Sequence, residues 1–285
     1  VIGHPYRGRQ AVLATAHGKE FAIAPVMKDR LGIDIVVPQG LDTDSLGTFS
    51  GEIARTDSME VTLERKARLG LAATQLGLGI ASEGSYGPHP HIPFLAAGLE
   101  QMVLIDSQSG YRIQESLVDD RPVYESAELS APEELEPILS RCRFPEHAVI
   151  IQPLGTASHS RIFKGIRSRP ELEAALTACL NASPVRRAQI QSDMRAHMNP
   201  TRMATIARLA ERLADRLLAL CSACNAPGFG RIGVVRGLPC SGCGWPTEFV
   251  REEKFGCHAC SATEIRPRSD GLVATDPRNC PNCNP

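Results

Sequence analysis

Apolar positions recur along this chain in two rhythms, a short continuous run and a helical stripe. Residues 10–15 (QAVLAT) form a run with β-branched character that predicts a buried strand. After Ala16-His17-Gly18-Lys19-Glu20 a helical pattern continues to about Leu31, and residues 33–37, closed by Pro38, predict a second strand. Strand, helix and strand in that order favour a parallel pair joined by a helical crossover. From Ser58, a candidate N-cap, Met59, Leu63 and Leu69 to Leu71 lay out an apolar stripe reaching about Leu76, with Glu60, Glu64, Arg65 and Lys66 as polar positions. The stretch 79–94 (GIASEGSYGPHPHIPF) begins as a buried strand and reads on as a loop dense in Gly and Pro.

Residues 100–106 and 111–118 alternate and are joined by Ser-Gln-Ser-Gly, which predicts an antiparallel hairpin. Residues 119–145 are acidic and proline-bearing, with a helix over 132–142. Strands are predicted at 147–152, at 162–166 around Lys164 and at 187–194, and a helix at 170–180. Asn199 followed by Pro200 is a helix-start signal, and Ile206, Leu209, Leu213, Leu217 and Leu220 lie on one face of the helix it opens. The pattern gives a mixed α/β domain over residues 1–218, with a mainly parallel sheet and flanking helices. A small C-terminal module occupies 219–285.

The 285 residues are 42% hydrophobic and 22% charged, with a net charge of −1, as in an ordinary soluble domain. That charge gives no general attraction to nucleic acid or to an anionic membrane, and aromatics at 5% are sparse for base stacking. No window approaches the length of a membrane-spanning helix, and VIGHPYRGRQ has no signal-peptide pattern, so the expectation is a cytoplasmic protein.

Of the ten cysteines, eight follow residue 220 as four Cys-x-x-Cys pairs: Cys221/Cys224, Cys240/Cys243, Cys257/Cys260 and Cys280/Cys283. Two tetrahedral thiolate sites need eight sulfurs, so the module is expected to hold two structural zinc ions as a ribbon. With four cysteines per ion, neither site keeps an open position for catalysis. Spacing leaves the pairing open between sequential and cross-braced. Between Cys221 and Pro285 seven basic residues face six acidic ones, too small an excess for phosphate-driven nucleic-acid binding. Cys142 and Cys179 read as small core residues.

Candidate chemistry gathers in three stretches besides the cysteines. Gly18 and Lys19 follow the first strand at a helix N-terminus, a position suited to an anion. The polar loop 40–56 offers Asp42, Asp44, Glu52 and Arg55, and the 79–94 loop offers Glu83, Ser85, His89 and His91. Asp193, Arg195, Asn199 and Arg202 bracket the start of the last long helix. There the arginines either bind a phosphate or form an internal Asp–Arg pair that fixes the turn.

These residues resemble an uncharacterised bacterial domain family of unknown function. The shared motifs stand here as ATAHGKE at 14–20, DTDSLGTFSGE at 42–52, ASEGSYGPHP at 81–90 and DMRAHMNPTRM at 193–203, with Cys-x-x-Cys pairs after them. The order of features is also similar to that of inosine-triphosphate pyrophosphatase-like nucleotide hydrolases. The corresponding pieces are Thr15, His17 and Lys19, then Thr48, Phe49 and Glu52, Lys66-Ala67, Glu83-Gly84-Ser85, and Arg195 with Arg202. His17 stands where those families have Asn, and one acid, Glu83, stands where they commonly have two.

That second resemblance implies a Mg²⁺-dependent hydrolase acting on a nucleotide or related phosphorylated metabolite. Glu52 and Glu83 would hold the metal through carboxylate oxygens, and Glu64 would assist as a further ligand or base. Thr15, Lys19, Arg55, Lys66, Ser85, Asp193, Arg195, Asn199 and Arg202 would bind the phosphates or the rest of the substrate. His17 or His89 would move a proton. Two other readings stay open: a non-catalytic nucleotide- or RNA-binding protein that docks through its zinc ribbon, and a transition-metal enzyme using His17, His89, His91 and Glu83.

Overall fold

A computed structural model describes residues 3–41, 57–88, 96–156 and 162–285. The chain divides into two units, Val1–Ala214 and Asp215–Pro285. In the first unit, β1 (Gln10–Ala14), α1 (Glu20–Leu31), β2 (Asp34–Val36), α2 (Met59–Thr74), β3 (Leu78–Pro88), β4 (Ala96–Asp106) and β5 (Tyr111–Asp119) build a five-stranded sheet of order β2-β1-β3-β4-β5 with two helices. Then β6 (Ser126–Leu129), α3 (Leu135–Cys142), β7 (Val149–Pro153), β8 (Phe163–Ile166), α4 (Arg169–Ala182) and β9 (Ala188–Ser192) form a four-stranded sheet of order β6-β9-β7-β8. Helix α5 (Pro200–Leu218) follows β9.

A mixed α/β fold is what the sequence pattern leads to, but its sheets are not mainly parallel. β1 pairs in parallel with β2 and β3, whereas β3–β4, β4–β5 and every pairing of the four-stranded sheet are antiparallel. The physical reason lies in the connections. In the five-stranded sheet only the β1–β2 and β2–β3 connections are long enough for a crossover, while β3, β4 and β5 follow one another as antiparallel neighbours. β6 lies inside the acidic stretch 119–145, where no strand was expected.

The second correction concerns residues 79–94. The strand does not give way to a loop at Glu83; β3 runs through Gly84, Ser85 and Gly87 to Pro88, in unbroken register with β4 from Leu78↔Asp106 to Pro88↔Ala96. Strand alternation therefore divides these residues between two faces. On one face α2 packs through Leu63 and Ala67 against Ala81, Val103 and Ile105. Gly79 belongs to this face, because a Cβ there would meet Leu71 and the Ala67 carbonyl. Close packing of α2 on β1 likewise relies on Gly70, whose Cβ position lies 3.1 Å from Val12. Ser58 caps α2 by accepting from the Val61 amide at 3.3 Å.

The four-stranded sheet has its own core, in which Leu135, Ile138 and Leu139 of α3 and Leu172 and Leu176 of α4 join Val149, Ile151 and Ile190. From this sheet the chain returns at Asp193. The Asn199 side chain accepts the Arg202 amide at 3.0 Å, so Asn199 and Pro200 open α5 as their types dictate. In the second unit β10 (Gly230–Arg236), β11 (Val250–Gly256) and β12 (Thr263–Pro267) form an antiparallel sheet whose last strand is exposed throughout. No described helix is long and apolar enough to cross a membrane.

Candidate functional site

β3 outlasts its parallel neighbour. β1 ends at Ala14, opposite Ala81, and the next residues of β3 are met by the turn 15–19. Gly18 adopts φ +69, which bends the chain into α1 and brings Lys19 over the strand. The Lys19 ammonium donates to the Ser82 carbonyl at 2.7 Å, and the side chain is buried. Desolvation, then the nearby Arg202 guanidinium, lowers its pKa from 10.5 to about 8, and Glu83 and Glu100 offset only part of this.

Ser82 lies between two ionised pairs, one on each face of the strand. On the α2 face Lys66 donates to Glu83 at 2.8 Å, both side chains being less than a tenth exposed. On the opposite face Glu100 of β4 accepts on Oε1 from Arg202 Nε at 2.7 Å and from the Tyr86 hydroxyl at 2.9 Å. Arg202 also donates to the Met194 carbonyl and lies 5.4 Å from the centre of the Tyr86 ring. Burial, then the Glu100 carboxylate, pushes the Tyr86 phenol far above its ordinary range. Gly84 is required here, because a Cβ would collide with the Glu100 carboxylate and the Arg202 guanidinium. Glu100 Oε2 and Ser82 Oγ are buried without a hydrogen-bond partner among the described residues.

Of the residues expected to act together, Lys19, Lys66, Glu83 and Arg202 do converge on this stretch of β3. His17 and Thr15 lie beside it: Thr15 accepts the His17 amide at 3.3 Å, and the His17 ring stacks on His197 with centroids 5.4 Å apart. Burial, then Arg195, lowers the His197 pKa. Arg195 forms the internal pair. It donates to Asp193 from its main chain at 3.1 Å and from Nη2 at 2.6 Å, while Asp193 also accepts the Gly165 amide. Glu64 is set apart, since it pairs with Arg68 at 2.8 Å and Arg112 at 3.4 Å on the wet side of α2. Ser85 is exposed, two residues beyond Glu83 on the same face. Asp42, Asp44, Glu52, Arg55, His89 and His91 lie outside the described residues.

Glu100 lies outside the motifs, and Tyr86 stands inside the 81–90 motif with no role that sequence assigns to it. The signal that finds Glu100 is alternation: in β4, Glu100 shares its face with Met102 and Leu104, which are buried, so a carboxylate there must be buried too.

In the second unit the eight cysteines form two groups, Cys221, Cys224, Cys257 and Cys260, and Cys240, Cys243, Cys280 and Cys283, with all ligand atoms of each group within 4.8 Å of one another. The pairs thus alternate along the chain, first with third and second with fourth, which is a cross-brace. Sulfur–sulfur distances of 3.6 and 3.8 Å in the first group and 3.7 and 3.8 Å in the second match the edge of a tetrahedron with Zn–S of about 2.3 Å. Asn225 (φ 61) and Gly244 (φ 75), each just after a second cysteine, close the tight turns, and amides of Gly242 and Ala259 point to Cys240 and Cys257 sulfurs at 3.3 Å. Both groups can hold a structural zinc ion.

No curated protein matches the chain. Residues 66–285, from Lys66 through the last cysteine pair, match the family described as a domain of unknown function, DUF6671. That span holds Glu83, Glu100, Arg202 and all eight zinc-module cysteines, and the chain belongs to this family.

Proposed function

We propose that the first unit is a hydrolase of a phosphoanhydride or phosphoester in a nucleotide or related phosphorylated metabolite. One observation carries this reading: the buried Lys19 ammonium is held by a carbonyl, while the two nearby carboxylates are engaged by Lys66 and Arg202. A desolvated cation with no carboxylate of its own among the described residues attracts an anion strongly, because little water screens the interaction. Lys66 and Arg202 reinforce it from the two faces of β3. This arrangement supports an oxyanion ligand such as phosphate more than a neutral one.

Mg²⁺ enters as a requirement for the assay to test. Glu83 with Glu52 would hold the ion, which when bound neutralises phosphate charge and activates water. Of that pair only Glu83 lies among the described residues, and its carboxylate rests on Lys66. The chain's own contribution is to bind and orient the phosphate through Lys19, and His17, which follows the first strand two residues before Lys19, would move a proton. The inosine-triphosphate pyrophosphatase-like arrangement is the fold-level analogy for this reading.

The test is a screen of nucleoside triphosphates and phosphorylated metabolites with Mg²⁺ or Mn²⁺, run beside Lys19→Met and Glu83→Gln. Turnover lost in both variants supports the proposal. Binding without turnover supports the non-catalytic alternative, and neither binding nor turnover overturns both.

A further inference from the structure

Resting on that reading, we infer that the substrate carries a flat ring on a chain of phosphates, and that the ring occupies a cavity over Ser85, Gly87, Ala97, Leu99 and Val118. The cavity has a volume of about 280 Å³. Its floor follows from strand register. Glu83, Ser85 and Gly87 alternate onto one face of β3, opposite Gln101, Leu99 and Ala97 of β4, and Val118 of β5 lies across from Leu99. The cavity therefore continues the same sheet face that carries the Lys66–Glu83 pair.

Composition changes along that face. At Glu83 it carries the ion pair with Lys66; beyond Ser85 the cavity is lined by Gly87, Ala97, Gly98, Leu99 and Val118 with Tyr86 beside them, a largely apolar surface that a ring face prefers. Its volume is near the lower end of small-molecule sites, roughly 300–1,000 Å³, so it suits one ring system and excludes a large oligomer. Four residues of strand, about 13 Å, separate Glu83 from Gly87. A ring bearing two or three phosphates spans that distance, and a small sugar monophosphate does not. A nucleoside di- or triphosphate has both the flat ring and the reach.

Gly87 is what keeps the cavity open. A Cβ at Gly87 meets nothing within 4 Å among the described residues, so a larger side chain enters the cavity without striking them. Val118 borders the cavity from β5 and is exposed, which makes it a second point of entry for bulk.

The experiment is titration calorimetry of the full chain with inorganic tripolyphosphate and with a panel of nucleoside triphosphates. Tripolyphosphate probes the cationic end alone; the nucleotides probe both ends. The wild type is expected to bind the best nucleotide about tenfold or more tightly than tripolyphosphate. Gly87→Leu should weaken the nucleotide about tenfold while tripolyphosphate changes by less than about twofold. Val118→Trp should act in the same direction, and it decides the matter if Gly87→Leu does not fold. Equal losses for both ligands, or no loss for either, would overturn the ring site while leaving the anion site standing. If the wild type binds neither ligand, the anion reading fails and the ring site falls with it.

Discussion

Lys66 of α2 and Glu83 of β3 hold each other across 2.8 Å at the place where the helix covers the strand, with side chains 9% and 5% exposed. Neither charge can be left there alone at low cost, since breaking a buried pair typically costs about 3–5 kcal/mol. Lys66→Met, which strands the Glu83 carboxylate, is expected to lower stability by roughly that amount. The double variant Lys66→Met with Glu83→Met should recover most of the loss, because apolar replacements remove both desolvation penalties. Urea unfolding of the single and double variants measures the difference.

Lys19 makes the opposite contribution. Its folded pKa of about 8 lies below the ordinary 10.5, so between these values the unfolded chain binds more protons than the folded one. Stability from this group is therefore lowest below pH 8 and rises as pH increases through the window up to 10.5. Lys19→Met is expected to raise stability near neutral pH by on the order of 1–3 kcal/mol, with the advantage shrinking as pH passes through that window. The same substitution should abolish binding of tripolyphosphate. A residue that costs stability and supplies binding is a mark of a ligand site. Thermal unfolding at a series of pH values, with and without the anion, reads both effects.

How far the sequence reached can be argued from the same residues. The capping types Ser58 and Asn199, the stripe of α2 and the paired cysteines are local signals, and the elements they mark stand where their chemistry puts them. The sequence puts Glu83 in a loop because Gly84 and Gly87 look like turn formers, whereas it lies inside β3. Gly84 is there for a tertiary reason: Glu100 and Arg202, 102 residues apart in sequence, meet where its side chain would be. A contact between such distant residues leaves no periodic trace. The cross-brace was equally beyond spacing, because both pairings satisfy two tetrahedra.

Gly84 and Gly87 lie three residues apart in one strand and should respond differently to a methyl group. Gly84→Ala forces the Cβ into the Glu100–Arg202 pair and is expected to cost about 1–3 kcal/mol or more, as overpacking of a closed core does. Gly87→Ala meets open space among the described residues and should be within about 0.5 kcal/mol of the wild type. Similar losses for both would mean that strand propensity, and not the buried pair, makes glycine necessary at 84. Denaturant midpoints for the two variants separate these outcomes.

The cross-brace predicts which cysteines share an ion. Metal analysis of the wild type should return two zinc ions per chain, one for each cysteine group. Cys221 and Cys257 belong to one group although 36 positions separate them, so the double variant Cys221→Ser with Cys257→Ser should still retain one zinc. Cys221 and Cys240 belong to different groups, and Cys221→Ser with Cys240→Ser should retain none. Sequential pairing reverses both results, because it would place Cys221 with Cys240 and Cys257 with Cys280. Because β12 is exposed throughout, the second unit has little apolar burial there to offset chain entropy. Thiolate coordination must then contribute a large part of its stability, and a chelator should unfold it cooperatively. Loss of the near-ultraviolet signal of Trp245, the single tryptophan, in step with zinc release is the measurement that reports it.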